Sequence, residues 1–427
     1  MRLKIRASMT LILCLTALCG MSESARAQFL QYTLPGGPEE NPESRQERLA
    51  HELKEARYRL GPVRIAPWLN VHDVSYVRSV VAEGVETPND LTASVGAGFR
   101  AYLRSGPKVT WIAQVLPEYT WWQRQTDRRQ LNGRYLLGMA GYFNRLTVEA
   151  QAGRQQRLQV VNPEVPVPVS SRNDGGELLT ELRLASSLSA FAVFNVSRQN
   201  NLIEGTTDPL TGRLRLLDRD EQVERAGLRW RPSSSWTVGL GAEHSEVEFL
   251  HGELDRSNSG TAPLAQVLFQ GSRFRFQTQA AARSLRADRG SEFIPFHGVT
   301  GETSLSLESR SRLGATLYAS RNLEYSIESS YAYFLDERVG TSLTLSLGQR
   351  TTGRLFAELG SDDYAEFPGV PPRRDDVSSW GGSLTFRLHA GFALGLQGVR
   401  SRFDGNGTAP DRSYTSVGAT ITLTGLP

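Results

Sequence analysis

The chain has 427 residues, of which 48 are basic and 45 are acidic, with a formal net charge of +3. Residues 1–27 contain four of the basic residues, one of the acidic residues and both cysteines. The remainder therefore carries 44 residues of each sign and no cysteine. This balance argues against a nucleic-acid partner, and the lack of cysteine excludes disulfides and thiolate metal sites in that part of the chain.

The first 27 residues have the pattern of a secretory signal peptide. A basic start precedes a short apolar run, Thr10–Leu18, and Ala25-Arg26-Ala27 forms an A-x-A cleavage site. The apolar run is too short for a membrane-spanning helix, which needs roughly 20 residues. We therefore predict an exported protein whose mature chain begins at Gln28.

One helical pattern follows the cleavage site, within a segment that we place at residues 28–60. Its first part is rich in Pro, Gly and Glu and predicts a flexible lead. Glu43–Leu60 then sets Leu49, Leu53 and Ala56 on one narrow stripe of a helix. Two interpretations remain open: a small periplasmic helix beside the mouth of the next domain, or a plug that enters that domain.

From Val63 onward the hydrophobic period changes to two, which is typical of β-strands. In RFRFQTQAAAR, Arg273–Arg283, every second residue shares one face of an extended chain. Phe274 and Phe276 fall on one face, and Arg273 and Arg275 fall on the other. Similar runs of roughly 9 to 16 residues recur to the end of the chain, near the length that a tilted strand needs to cross a bilayer. Propeller blades use shorter strands, near roughly 5 to 6 residues.

The connections between these runs alternate between short and long. Eight short ones begin at Ser105, Phe143, Ser186, Pro232, Gln270, Ser309, Thr351 and His389. Nine longer polar loops lie near residues 79–90, 121–131, 159–175, 200–221, 250–261, 287–299, 329–337, 363–377 and 402–413. We therefore predict an all-β fold over residues 61–427: a single transmembrane antiparallel up-and-down β-barrel of about 18 strands, with 16 possible.

In such a barrel the apolar face of each strand contacts lipid and the polar face lines the lumen. Two interpretations of the inward charges are compatible: a lattice of Arg–Glu pairs that fills the lumen, and a charged pore wall that tunes the passage of ions or solutes. The predicted pore-lining residues are Arg100, Glu181, Arg183, Arg225, Arg229, Glu243, Arg273, Arg275, Arg283, Glu302, Glu308, Arg338 and Arg387.

The sequence contains no recognisable catalytic motif. Its histidines fit no H-E-x-x-H spacing, and no G-x-S-x-G nucleophile elbow appears. We predict no enzyme activity, no catalytic residue, no metal site and no cofactor. The alternative, an outer-membrane hydrolase, requires a serine and a histidine from neighbouring strands to meet near one rim of the barrel.

The chain resembles Gram-negative outer-membrane β-barrels, and more narrowly the β-barrel porin families. The resemblance rests on RLGPVRIAPWLNV (Arg59–Val71) and on units such as SLTLSLGQRTTGRLFAELG (Ser342–Gly360), and it covers roughly residues 61–427. It implies assembly into the outer membrane and a pore. One departure is the ending ITLTGLP (Ile421–Pro427), since such barrels usually end on an aromatic residue that the assembly machinery reads.

Three functional hypotheses follow. The first is a porin-like channel for ions, small solutes or saccharides. The second is a closed structural or export-accessory barrel, for example one serving surface polysaccharide secretion, whose lumen is blocked by paired charges, the N-terminal helix or inward loops such as PEVPVPVSSRND (Pro163–Asp174). The third is the hydrolase. The expected partners are outer-membrane lipid, lipopolysaccharide and the barrel-assembly machinery, with no nucleic acid, and the expected state is a monomer or homotrimer in the outer membrane.

Overall fold

The structure is a computed structural model that describes residues 42–81, 85–86, 90–126, 129–159, 161–165, 169–203, 212–308, 312–389, 392–406 and 411–423. The predicted signal peptide and flexible lead lie outside the described residues, as do the last four residues of the non-aromatic ending Ile421–Pro427.

The described chain contains one α-helix, α1 (Pro42–Glu55), two short 3-10 helices (Leu214–Leu217 and Gly252–Leu254) and 20 strands. The strands are β1 (Tyr58–Leu60), β2 (Val63–Val81), β3 (Val85–Glu86), β4 (Asp90–Ser105), β5 (Val109–Trp122), β6 (Gln130–Tyr142), β7 (Leu146–Gln159), β8 (Val169–Arg183), β9 (Leu188–Leu202), β10 (Arg219–Ser233), β11 (Trp236–Phe249), β12 (Asn258–Gln270), β13 (Phe274–Ala287), β14 (Phe296–Glu308), β15 (Leu313–Tyr325), β16 (Tyr331–Leu347), β17 (Thr351–Glu366), β18 (Arg374–His389), β19 (Phe392–Gly405) and β20 (Arg412–Leu423).

The sheet closes on itself to form a barrel. Each long strand pairs antiparallel with the next, and β20 pairs back onto β2, with Val74 opposite Ala419. Only β1 and β3 are very short, with three and two residues, and both add to β2. The other 18 strands form the wall, so the predicted all-β up-and-down barrel of about 18 strands is confirmed.

The two faces of the wall differ as the alternation predicts. Large apolar side chains on one face are exposed, such as Leu228 (50%), Leu240 (63%) and Leu355 (65%). Their neighbours on the other face are buried and often charged, such as Arg225 and Glu243. Because the sheet is closed, the buried face is the inside of the barrel. An apolar outer face and a polar inner face are what a bilayer on one side and water on the other require.

The strands are longer at the long-loop end than the sequence predicts. The segment Pro163–Asp174 was expected to be loop, but β8 begins at Val169, and β16 begins at Tyr331 within the expected loop 329–337. The apolar alternation ends at this height, whereas the hydrogen-bonded ladder continues with outward ion pairs. Arg154 Nε lies 2.5 Å from Asp174 Oδ1 in such a pair. The alternation of apolar and polar residues marks only the part of each strand that contacts lipid. The backbone hydrogen bonds between strands continue beyond that part.

Two smaller boundaries also differ from prediction. The helix ends at Glu55 rather than at Leu60, because Tyr58–Leu60 folds back as β1 against the start of β2. Gly61 in this turn has φ of +59°, a conformation that favours glycine. The seventh short turn lies at residues 348–350, since β17 already begins at Thr351. Among the described residues, no helix is long and apolar enough to span a membrane.

Candidate pore

The inner wall encloses a cavity of about 220 Å³ in the half of the barrel nearer the long loops. Side chains from nine consecutive strands, β7 to β15, line it. They include Arg157 on β7, Arg219 on β10 and Glu324 on β15. Arg219 reaches across the lumen, because its guanidinium lies 5.3 Å from the ring centre of Tyr325 on β15. The lumen is therefore narrow at this height.

One ion-pair cluster lies on the cavity wall. Arg225 Nε lies 2.7 Å from Glu243 Oε2, and Arg283 Nη2 lies 3.1 Å from Glu243 Oε1. The Glu243 side chain is only 3% exposed. Register places Arg225 directly opposite Glu243 on adjacent strands, so this carboxylate links β11 to β10 beside it and to β13 two strands away.

A second cluster lies closer to the short-turn end. Glu181 accepts hydrogen bonds from Arg229, from Arg231 Nη2 (3.0 Å) and from Ser189 Oγ (2.7 Å). The guanidinium of Arg229 stacks 4.9 Å from the ring centre of Phe191. The side chains of Arg229 and Glu181 are almost fully buried, and their pairing compensates the two charges where water is excluded.

A third cluster lies on β16 and β17. Arg338 lies 2.7 Å from both Asp336 Oδ1 and Asp362 Oδ1. Tyr318 donates a 2.6 Å hydrogen bond to Glu358. One guanidinium thus compensates two carboxylates, and this part of the wall is predominantly acidic.

Apart from the exposed Arg183 and Arg387 near the short turns, three inward charges on the described wall make no ion pair or side-chain hydrogen bond. Arg134 and Arg157 lie on β6 and β7, and each lies near another arginine, Arg100 for the first and Arg134 for the second. Glu324 lies on β15 near Asp336, and it too makes no ion pair. None of the three is among the pore-lining residues predicted from the sequence. Leu146 faces outward, so strict alternation along β7 places Arg157, an odd number of residues away, on the lumen face.

The long-loop end of the barrel is covered by a lid with an apolar core. We define the lid as the loop segments 161–165, 212–218, 288–295 and 326–330. Its buried side chains pack against strand ends beneath them. The core residues from the lid are Val161, Val165, Leu214, Leu217, Phe293 and Ile327. This apolar core folds across the outer mouth, and the inward loop expected at residues 163–174 contributes its first part.

Glu164 joins two segments of the lid to each other and to β20. Its carboxylate accepts hydrogen bonds from Ile327 N (2.7 Å) and Ser326 Oγ (2.9 Å). Its backbone oxygen accepts a 2.8 Å bond from Arg412 on β20. Burial raises the pKa of Glu164, although these hydrogen bonds and the nearby guanidiniums of Arg373 and Arg412 oppose the shift.

The helix α1 packs against the inner wall near the short-turn end. Tyr102 donates a 2.9 Å hydrogen bond to Glu52, and Arg64 Nη1 donates to the Leu53 backbone oxygen at 2.7 Å. Arg100 also pairs with Glu52, at 3.4 Å. Leu53 and Ala56 are buried against Tyr102. The helix therefore contacts lumen-facing side chains of β2 and β4.

The structure brings most of the predicted pore-lining residues to the inner face. Arg183 and Arg387 lie there near the short turns, and both are exposed. Arg273 is an exception, because Gly271 N bonds to Phe274 O (2.9 Å) and closes a turn that contains it. Glu308 ends β14, and its side chain lies outside the described part of the chain. The others on the inner wall are Arg100, Glu181, Arg225, Arg229, Glu243, Arg275, Arg283, Glu302 and Arg338.

One serine–histidine contact fits the requirement set for a hydrolase. Ser284 on β13 lies 3.0 Å from His297 Nδ1 on β14, on the exposed outer face near the long-loop rim. In a nucleophilic triad a carboxylate or amide orients the histidine through its other ring nitrogen. No such contact to His297 occurs in the described structure. Among the described residues there is also no group of three or more His, Cys, Asp or Glu that could hold a metal ion.

A closed sheet of 18 long antiparallel strands, apolar outside and charged inside, defines a transmembrane β-barrel of the outer-membrane type. No family model and no curated protein sequence matches the chain. Solved structures do match its fold. The BenF-like porin from Pseudomonas fluorescens Pf-5 has a TM-score of 0.53 and 9% identity, over 84% of this chain and 98% of that one.

Two further structures give the same result. The outer membrane protein opdK from Pseudomonas aeruginosa has a TM-score of 0.53 and 10% identity, over 84% of this chain and 98% of that one. Acinetobacter baumannii OccAB4 has a TM-score of 0.51 and 8% identity, over 84% and 97%. At these identities the similarity establishes the fold, and the chain has the fold of outer-membrane porins.

Proposed function

We propose that the protein is a porin-like channel of the Gram-negative outer membrane that passes ions or small polar solutes. The observation that carries the proposal is the cavity between β7 and β15, whose wall combines guanidinium, carboxylate and amide groups. A structural barrel would be expected to fill this space with apolar side chains or fully paired charges. Here Arg157 and Glu324 line the cavity without a partner among the described residues.

The second candidate is a closed structural or export-accessory barrel, and the lid favours it. Its apolar core lies over the long-loop mouth, and Glu164 links two of its segments to each other, to Arg373 and to Arg412 on β20. The two candidates differ in whether the lid and α1 open under native conditions. We treat α1 as a plug of the short-turn end, because it contacts the lumen-facing Arg64, Arg100 and Tyr102.

Catalysis is not part of the proposal. The Ser284–His297 contact uses the Nδ1 nitrogen and has no third group to orient it in the described structure. The outward apolar belt fits a lipid environment, and the exposed Arg–Asp pairs above it, such as Arg198–Asp220, fit the charged headgroup region of lipopolysaccharide. We further propose export by the signal peptide and insertion by the barrel-assembly machinery, as a monomer or homotrimer.

The test is single-channel conductance of the refolded mature protein in a planar bilayer. The proposal predicts stepwise conductance, and variants at Arg157 and Glu324 should then shift ion selectivity in opposite directions. Arg157→Gln should lower relative anion permeability, and Glu324→Gln should raise it. Arg154→Gln, on the outward face of the same strand as Arg157, is the matched control. Silence from protein whose β-sheet circular dichroism confirms folding would favour the closed barrel instead.

A further inference from the structure

We infer that the cavity beneath the lid is a binding site for small zwitterionic solutes, with Arg157 contacting the anionic group and Glu324 the cationic group. The inference rests on the proposed function, since it names the class of solute that the pore would take. It comes from the arrangement of uncompensated charge on the inner wall.

The positive side of the cavity lies on β6 and β7. Arg134 and Arg157 are near each other, and Arg100 on β4 extends the same row. Only Arg100 has a carboxylate partner, Glu52 of α1. The inward neighbours of Arg157 along the cavity wall are neutral: Gln155, Ser171 and Asn173. A guanidinium in this setting is free to form a bidentate contact with a solute carboxylate.

The negative side lies on β15 and β16, across the same cavity. Glu324 is repelled by the carboxylates of Asp336, Glu221 and Asp362, and the guanidinium of Arg219 opposes this repulsion. Arg338 contacts both aspartates but balances only one of their charges, and Arg219 pairs with Glu221 through a 2.5 Å contact. Glu324 therefore belongs to an excess of negative charge, and it makes no ion pair of its own. An ammonium group placed here would relieve its repulsion with the other three.

The middle of the cavity wall is self-compensated. Glu243 pairs with Arg225 and Arg283, and Glu302 adds a second carboxylate to the same part of the wall, so the two charges of each sign do not favour a net anion or cation. A solute with one charge of each sign therefore satisfies both unpaired groups, whereas a singly charged solute leaves one of them desolvated without a partner. Buried charges without a partner are costly, which is the physical basis of the expected preference.

Isothermal titration calorimetry on the refolded mature protein in detergent micelles tests the inference. The probes are 4-aminobutanoate, butanoate and butylammonium. The zwitterion should bind about tenfold more tightly than either singly charged probe, the difference expected for one charge-assisted hydrogen-bonded contact. Arg157→Gln should weaken binding of 4-aminobutanoate and butanoate but not of butylammonium. Glu324→Gln should weaken binding of 4-aminobutanoate and butylammonium but not of butanoate.

Three further variants keep the test decisive. Arg157→Lys retains the charge and should restore much of the zwitterion affinity, which a merely structural role would not require. The outward-facing controls Arg154→Gln and Glu337→Gln should change no affinity. Equal affinity for all three probes would overturn the inference, and so would equal effects of the inward and outward variants.

The conductance measurement separates this inference from the proposed function. Conductance without a preference for the zwitterion would support the proposed pore and overturn the proposed binding site. Binding of the zwitterion with the predicted dependence on Arg157 and Glu324, in a protein that does not conduct, would support the binding site and overturn the pore.

Discussion

Arg225 and Glu243 face each other on β10 and β11 and form an ion pair 2.7 Å long with side chains only 4% and 3% exposed. The carboxylate also holds Arg283 of β13 at 3.1 Å. The pair thus joins three strands on the inside of the barrel, where little water reaches the charges. Each residue depends on the other, since a lone buried charge is far more costly than the pair.

Glu243→Gln is therefore expected to lower the free energy of unfolding by about 3 kcal/mol, because Arg225 and Arg283 lose their shared carboxylate. Urea titration of the refolded protein, followed by tryptophan fluorescence, measures the change. Glu246→Gln is the matched control, as Glu246 is exposed on the outward face of the same strand, and it should change stability by less than about 0.5 kcal/mol. Equal losses of unfolding free energy from both variants would contradict the burial of Glu243.

The outward face can be tested at Leu240, which is 63% exposed between Trp236 and the polar end of β11. Leu240→Arg should cost about 2 to 4 kcal/mol in lipid vesicles, since it places a cation near the bilayer midplane. Glu248→Arg, near the long-loop rim of the same strand, should cost about 0 to 1 kcal/mol. Reversible unfolding from vesicles gives both values. A cost at Leu240 no greater than at Glu248 would argue that this face does not contact lipid.

The lid should depend on pH through Glu164. Burial raises its folded-state pKa above the unfolded value, so its stabilising contribution is complete below the ordinary carboxyl pKa. That contribution is lost as pH rises through the raised pKa. We expect the hydrogen-exchange protection factor of the Ile327 amide to fall with rising pH in the native protein. In Glu164→Gln, which stays neutral, protection should not change over the same window. Protection that rises with pH would mean that the guanidiniums of Arg373 and Arg412 outweigh burial.

The helix α1 should restrict conduction at the short-turn end. Glu52→Gln removes the charge that Arg100 and the Tyr102 hydroxyl contact, and it should raise the open probability in single-channel recordings. Deletion of residues 42–55 should raise it further, since the packing of Leu53 against Tyr102 is also lost. Lys54→Gln, an exposed residue of the same helix, is the control. Unchanged conductance in the deletion variant would show that α1 does not obstruct the pore.

Much of the wall could be predicted from alternation alone. Phe274 and Phe276 lie outside and Arg275 and Arg283 lie inside, as their positions in Arg273–Arg283 predict. The strand ends were less predictable. β8 begins at Val169 because backbone pairing continues past the apolar belt, and Arg273 falls in a turn because a hydrogen bond closes the hairpin one residue later.

The sequence by itself determined the class of fold, because a period of two with alternating short and long connections has a stable solution in a closed membrane barrel. It also determined the sign of the groups on each face. Only the tertiary structure decided which inward charges are compensated. Glu181 pairs with Arg229, 48 residues away and two strands over, whereas Arg157 and Glu324 meet no partner on the described wall. Such pairings depend on the shape of the lumen and on how the loops fold into it, and neither is encoded in the local periodicity of any strand.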